Sequence, residues 1–575
     1  MAVMGDRAVW SAEAEGLKVV PLTIGEMLDR QAAALPDKEA LVYAYPERCL
    51  ELRLSFREYR DQVDRVARGL LALGIGQGEH VAVWAPNLPE WIFLQLALYR
   101  IGAVLVTINT GYRPGELEYV LRQGDVTTLC MVEEFRGNSY LDSIHAVAPE
   151  LREVTDPVHE EVHSSALPCL KRVILIGGVE RPGTLPFERL LELGEDMASG
   201  ASAERAARVT PDDVALIMYT SGTTGFPKGA MLTHANLTSS VHLIGRGEDY
   251  SADRYVNPMP FFHIAGSNLV IFTLMNGMTH IPAITFDVDK VLDLLEHERG
   301  SLLFCVPTMV VALLNHPRCL AGAVDLTSLR QLFAAGAPVP VVLMEEVKER
   351  LGADSKIPYG LTEAAGAGTV TLDGDTFALK SSTVGKPYPH MDVQIVDPLT
   401  GEVVRCGEHG ELLMRGAPVM RGYYNMPEKT AEAIDEQGWL HTGDMATMDR
   451  QGYVNIVGRR VEMIIRGGEN VYPVEIEQFL IRHPAVAEAQ VVGVPDPSMG
   501  EELVALLHLR TGMITNEEEV RAYCRTGISR YKTPKYIRFV DSYPLTASGK
   551  VKKYELRAQL IAELGLEEVA MIRTA

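Results

Sequence analysis

The sequence predicts an α/β fold: a large layered N-terminal domain with a β-rich subdomain, then a small, mobile C-terminal α+β domain. Three observations lead there. From about residue 60 to residue 360, short apolar runs alternate with amphipathic helical patterns. Between 392 and 425 the text changes to short β runs broken by Gly and Pro. After Asp449–Gly452 the pattern resets into a compact stretch of mixed helices and strands.

The apolar runs are HVAVWAPN (80–87), AVLVTIN (103–109), RVILIG (172–177) and VALIMYT (214–220). Continuous runs of this length read as strands buried on both faces, and the helices between them complete βαβ units. Helices are expected at Arg60–Leu73 and Val341–Leu351. The segment 151–170 reads as a loop. In the C-terminal part, EIEQFLIRHP and EEEVRAYCRTGI read as helices, and AEAQVVGV, LVALLHL and YIRFV as strands. The expected division is 1–457 and 458–575. It matches a chain of 575 residues, too long for one core.

Composition narrows the function. The chain is 47% hydrophobic and 23% charged, as in a folded globular protein. Its formal net charge of −22 repels nucleic acid and anionic lipid, so neither is an expected partner. Any polyanionic substrate must be held by local backbone N–H groups and a few Lys or Arg. Seven scattered cysteines, none in C-x-x-C, read as reduced thiols in a cytoplasmic protein. No run reaches the ~18 apolar residues of a membrane span. The N-terminus does not read as a signal peptide, nor the final MIRTA as a peroxisomal address.

The segment YTSGTTGFPKG (219–229) follows the apolar strand VALIMYT. Gly222, Gly225 and Gly229 let backbone approach a bulky anion, the hydroxyls of Thr220, Ser221, Thr223 and Thr224 can donate to phosphate oxygens, and Lys228 adds a charge. A Walker A loop would need G-x-x-x-x-G-K-[ST]. Counted from Gly222, Pro227 stands where the second glycine belongs and Gly229 where the magnesium-binding hydroxyl belongs, so the match fails twice and argues against a P-loop kinase or ATPase.

This segment resembles the phosphate loop of adenylate-forming enzymes: acyl-CoA synthetases, adenylation domains of peptide synthetases and luciferases. PFFHIAG (260–266), AAGAPVP (334–340), YGLTE (359–363), RGYYNMPEKT (421–430), GWLHTGD (438–444), VGRRVEMIIRGGENVYPVEIE (457–477) and PLTASGK (544–550) follow in family order. The likeness extends from about residue 22 to residue 560, and is strongest to ligases of medium- or long-chain fatty acids.

The resemblance implies a reaction in two halves. A carboxylate attacks the α-phosphorus of ATP to give acyl-AMP and pyrophosphate, and then coenzyme A takes the acyl group. Two anions meet in the first half, so positive charge must bridge them. The resemblance gives that role to Lys550. It makes Glu363 the Mg2+ ligand and Thr220 a further catalytic residue. Tyr359 would lie against adenine, and Asp444 with Arg459 would hold the ribose. Gly336, Ala337 and Pro338 would border adenine and the acyl pocket, with Gly360, Leu361, Thr362 and Ile456 completing the nucleotide site. His263, Gly336 and Gly360 would wall the acyl pocket. His263 is not a base, because the acid is already ionised at neutral pH. The small residues Gly266, Ala364, Ala365, Gly366 and Gly368 would leave room for a substantial acyl group.

In the second half the small domain turns, and Gly467, Gly468 and Glu469 would line the path of coenzyme A. The family's hinge position, usually Asp or Lys, is Val461 here, and Lys553 stands where Arg is common.

Alternatives are an aryl or alicyclic acid ligase, an enzyme that loads a separate carrier protein, and a non-catalytic nucleotide- or acyl-binding regulator. A homodimer is compatible with the sequence, which does not settle assembly. His159-Glu-Glu-Val-His163 matches the zinc pattern H-E-x-x-H, but Pro157 before it and SSALP after it leave little room for the helix that pattern needs.

Overall fold

The computed structural model describes residues 6–11, 22–177, 180–220, 227–245, 248–337, 339–459, 462–466, 469–496, 499–528, 530–546 and 549–570. Two large sheets form the N-terminal part. The first orders its strands Thr184–Pro186, Arg172–Leu175, Thr128–Met131, His80–Trp84, Val104–Thr107, Val214–Thr220, Lys228–Thr233 and Gly422–Tyr423. The first six run parallel, and the last two are antiparallel additions. The second orders Asp354–Lys356, Gln331–Ala334, Leu302–Cys305, Arg254–Asn257, Thr279–Pro282, Glu39–Tyr45 and Leu50–Ser55. It is parallel except for its last pair. Each run read as a strand forms one. The expected β–α alternation is not strict: Val214–Thr220 pairs antiparallel with the next strand, Lys228–Thr233, and Arg172–Leu175 is followed by Thr184–Pro186 with no helix between.

Helix Phe56–Ala72 starts four residues before the expected Arg60. Ser55 and Glu58 form a capping box, which satisfies N–H groups that a helix start leaves open. Helix Pro89–Ile101 is buried along almost its whole length between neighbours, so its text carries no polar stripe. The helix expected at Val341–Leu351 is α-helical over Val341–Glu346 and widens to a π turn over Val347–Leu351. The segment 151–170 contains no α-helix. Glu160 accepts N–H bonds from Thr155 and Asp156, and His159 pairs with Asp156 at 2.8 Å, so the zinc-like pattern has no helical face.

The β-rich subdomain is an antiparallel sheet of Val9–Trp10, Met391–Val396, Gly410–Gly416, Leu440–Met448 and Val454–Arg459. Beyond Arg459 a separate sheet begins at Ile464. It joins Glu469–Val471, Ile464–Arg466, Gly500–Leu509 and Val486–Asp496, with Tyr536–Phe539 alongside Gly500–Leu509. Helices Pro473–Ile481, Glu517–Gly527 and Lys553–Glu563 complete the small α+β domain around its own core. Among the described residues no helix is long and apolar enough to cross a membrane.

Candidate active site

A cavity of about 2040 Å³ opens where the two parallel sheets, the β-rich subdomain and the small domain meet. Strand ends supply most of its polar wall. Thr220 closes Val214–Thr220 and faces Lys228 across the hairpin as its register partner. Of the seven residues between, 221–226 lie outside the described residues, and with them Ser221, Gly222, Thr223, Thr224 and Gly225. Lys228 holds its ammonium 4.3 Å from the centre of the Tyr423 ring.

Glu363 sits one turn beyond strand Pro358–Gly360. Its Oε1 accepts from the Thr220 hydroxyl at 3.2 Å and from the Tyr423 hydroxyl at 2.8 Å. Among the described residues both bonds fall on that one oxygen.

Asp444 and Arg459 come together across two strands rather than along the chain. They are register partners on neighbouring antiparallel strands, paired at 3.1 Å from Nε to Oδ1. Tyr359 donates its hydroxyl to the other oxygen, Oδ2, at 2.5 Å. Asp444 is only 4% exposed, and that burial raises its pKa against the opposing pull of Arg459. Thr442 and Glu411 steady this corner through the N–H groups of Asp444 and Gly443.

Lys550 reaches this cavity from the small domain. Its Cε lies 3.5 Å from where a Cβ on Gly336 would stand, an ordinary packing distance; the φ of +84° at Gly336 and Val306 Cγ1 at 3.3 Å favour glycine there. Burial lowers the Lys550 pKa and Arg459 adds to the effect, while Asp444 and Glu363 pull it back. His263 lies near enough to feel that charge. Burial and Lys550 together depress its pKa to about 3, so it is a neutral imidazole at physiological pH. It caps helix Ile264–Met275 by accepting the N–H of Ala265 at 3.3 Å.

The cavity therefore gathers Thr220, Lys228, His263, Gly336, Ala337, Tyr359, Gly360, Leu361, Thr362, Glu363, Asp444, Ile456, Arg459 and Lys550. Pro338, Val461, Gly467 and Gly468 lie outside the described residues, as does the side chain of Glu469. Arg466 and Val471, in the hairpin around 467–468, are not part of the cavity wall.

One expectation fails. Of the five small residues expected to leave acyl volume, Gly366 alone lines the cavity. A Cβ on Gly266 would stand 2.1 Å from the Pro260 carbonyl oxygen, and one on Gly368 would stand 2.7 Å from that of Tyr359. Ala364 and Ala365 are fully buried. These residues are small so that backbones can pack. The apolar wall is made instead by residues that the sequence did not single out: Val241, Tyr255, Leu269, Phe272, Phe304 and Phe333. Tyr255 packs within 6.2 Å of Phe272 and 6.4 Å of Phe333, which stacks on Phe304. Tyr423 and Thr442 also escaped notice. Tyr423 meets Glu363 60 residues away, where no local spacing signals it, while Thr442 accepts the Asp444 N–H two residues on and donates to the Leu412 carbonyl 30 residues back.

Comparison with known proteins agrees with this geometry. Residues 28–424 match the AMP-binding enzyme family, and residues 475–550 its C-terminal domain. The YngI protein of Bacillus subtilis (strain 168) is 42% identical over 96% of this chain and 99% of its own length. The mitochondrial medium-chain acyl-CoA ligase ACSF2 of Mus musculus is 38% identical over 95% of this chain and 89% of its own. The crystal structure of the anthranilate CoA ligase AuaEII in complex with anthranoyl-AMP superposes with a TM-score of 0.82 at 27% identity, covering 95% of this chain and 99% of that one. With both family regions matched and the fold shared along nearly its whole length, the chain belongs to the AMP-binding enzyme family.

Proposed function

We propose that this protein is an ATP-dependent acyl-CoA synthetase acting on a medium- or long-chain fatty acid. One observation carries the reading: Lys550, from the small domain, stands in a cavity that also holds the Asp444–Arg459 pair and the Glu363–Thr220 pair. The mouse relative's name and the aromatic, apolar part of the wall support a fatty acid.

In the first half-reaction a carboxylate oxygen bonds to the α-phosphorus of ATP, and the bond to the departing pyrophosphate breaks. Lys550 lowers the repulsion between the two anions and stabilises charge on the five-coordinate phosphorus. Asp444 accepts hydrogen bonds from the ribose hydroxyls, with Arg459 fixing its direction. Tyr359 lies beside the base, and Lys228 and the hydroxyl-rich loop receive the departing phosphates. Neutral His263 walls the acyl site without adding a second positive charge.

The residues present fit a magnesium ion. Glu363 and the Thr220 hydroxyl beside it offer hard oxygen donors at the cavity. They would hold the ion, which supplies charge neutralisation on the triphosphate.

In the second half-reaction the thiol sulfur bonds to the acyl carbon, and AMP leaves with the electron pair of the broken C–O bond. We place the pivot of the small domain just beyond Arg459, where the subdomain sheet ends, and the coenzyme A path at 467–469. We assign the protein to the cytoplasm on its scattered free cysteines.

The test is pyrophosphate release and thioester formation with ATP, Mg2+ and coenzyme A, over fatty acids of graded length and benzoate-like acids. Activity that peaks among fatty acids of medium or longer chain is expected. A preference for benzoate-like acids would overturn the substrate class. No carboxylate-dependent pyrophosphate exchange with any acid would overturn the function.

A further inference from the structure

Two contacts join the small domain to the large one, one on the cavity wall beside Lys550 and one outside the cavity. Gly549, the residue before Lys550, lies on the start of helix Pro307–Leu314. Its φ is +82°, and a Cβ there would stand 3.1 Å from Val306 Cγ2 and 3.4 Å from Thr308 Oγ1. The Thr308 hydroxyl donates to the Gly549 carbonyl at 3.1 Å. The turn that carries Lys550 is itself tied down. The Lys550 N–H donates to Thr546 Oγ1 at 3.0 Å, and the Thr546 N–H donates to the Lys550 carbonyl at 2.7 Å. Fixing Gly549 therefore fixes the direction in which Lys550 leaves the backbone.

The second contact is an ion pair. Arg510, just past strand Gly500–Leu509, sets Nη1 3.3 Å from Oε1 of Glu346. Glu346 closes helix Val341–Glu346, which packs on Pro307–Leu314, and its other oxygen is held by Arg350 at 3.2 Å. Neither Glu346 nor Arg510 lines the cavity. A single contact would leave the small domain free to swing about it. Two contacts, on neighbouring helices, define one orientation.

We propose that Thr308 and the Glu346–Arg510 pair form a two-point catch that positions Lys550 for adenylate formation and plays no part in thioester formation. This rests on the two-step reading above. Thr308, Glu346 and Arg510 are positioning residues, because they act through the placement of Lys550.

The test uses the full-length protein with Thr308→Val, Thr308→Ser, Arg510→Gln, Glu346→Gln and the Glu346→Gln/Arg510→Gln double variant. Two rates are read separately: octanoate-dependent ATP–pyrophosphate exchange, and octanoyl-CoA formation from synthetic octanoyl-AMP. A half-exposed ion pair and a neutral hydrogen bond set the scale. Arg510→Gln should lower kcat of exchange up to about fivefold and Thr308→Val up to about tenfold, with KM for ATP and octanoate held within about twofold. Thr308→Ser should keep the wild-type rate, the double variant should match Arg510→Gln alone, and thioester formation should stay within about twofold.

Equal loss of both half-reactions would overturn the catch. So would a raised KM for octanoate with kcat intact, which makes Thr308 a substrate contact, or losses at 346 and 510 that multiply. Arg510→Gln alters a half-exposed residue and tests the proposal even if Thr308→Val does not fold. Wild-type protein inactive in both assays would refute the adenylation reading itself, which is distinct from a lost split between the halves.

Discussion

Lys550 shows what a single side chain's sequence context reveals and what it hides. Beside Lys552 and Lys553 it could be one of three surface lysines. The structure separates them. All three line the cavity, but Lys552 pairs with Glu555 and Lys553 pairs with Glu477 at 2.7 Å and Glu462 at 3.5 Å, whereas Lys550 lies against Gly336 with no carboxylate paired to it among the described residues. Lys550→Ala should lower pyrophosphate exchange by about 100-fold or more, the scale of losing one preorganised charge stabiliser, and largely spare thioester formation from supplied acyl-adenylate. Comparable loss in both assays would contradict the division of labour. Its lowered pKa has a sign. The ammonium must be charged to bridge two anions, so kcat/KM of adenylation should fall on the alkaline side at a pH below an ordinary lysine's 10.5. The Lys550→Ala variant should lack that limb in a pH–rate profile. Glu363→Gln should raise the magnesium concentration needed for exchange, read by titrating the metal at fixed ATP.

At the scale of elements, strands were legible because burial on both faces writes an unbroken apolar run. Helix starts were less so. The true start at Phe56 is set by Ser55 and Glu58, a signal outside the apolar pattern. The apolar wall of the cavity was illegible for a different reason. Phe272, Phe304 and Phe333 come from a helix and two strands, and only tertiary packing brings them to one cavity. Small residues misled in the opposite direction, since a glycine that admits a neighbouring backbone looks the same in a sequence as one that leaves a pocket. Gly266→Ala tests this. Its Cβ would collide with the Pro260 carbonyl, so the start of helix Ile264–Met275 must shift. The variant should lose about 1–3 kcal/mol in denaturant unfolding, with weakened use of the acid and an unchanged KM for ATP. Unchanged stability would mean the helix start has slack.

For the whole molecule, fold class and domain order were legible because local patterns repeat over hundreds of residues, while the meeting of the domains is written in no segment. Stability belongs to this scale too. His234 is fully buried and accepts the Ile24 N–H at 3.2 Å, and burial lowers its pKa to about 4. His280 is 2% exposed, with a pKa of about 3. Between these values and the unfolded 6.5, the unfolded chain binds protons that the native protein does not. Stability should therefore rise with pH through that window and be lost as pH falls from 6.5 toward 4, by on the order of 3 kcal/mol per histidine. Urea unfolding across pH 4–7 checks this, and His234→Asn should flatten the slope. A slope unchanged in that variant would remove His234 from the account.

The Asp444–Arg459 rung has one more consequence. The chain leaves the large domain at Arg459 and enters the first strand of the small domain at Ile464. Five peptide steps reach at most about 18 Å. A leash that short keeps Lys550 at millimolar effective concentration or above beside its own cavity, whatever the protein's dilution. Each visit of the lysine is then a local return, and its frequency is set by chain length before any contact forms. Under the proposed function the ribose-holding pair and the leash begin at the same residue, so the nucleotide would be gripped at the point from which the search for the lysine's seat is measured.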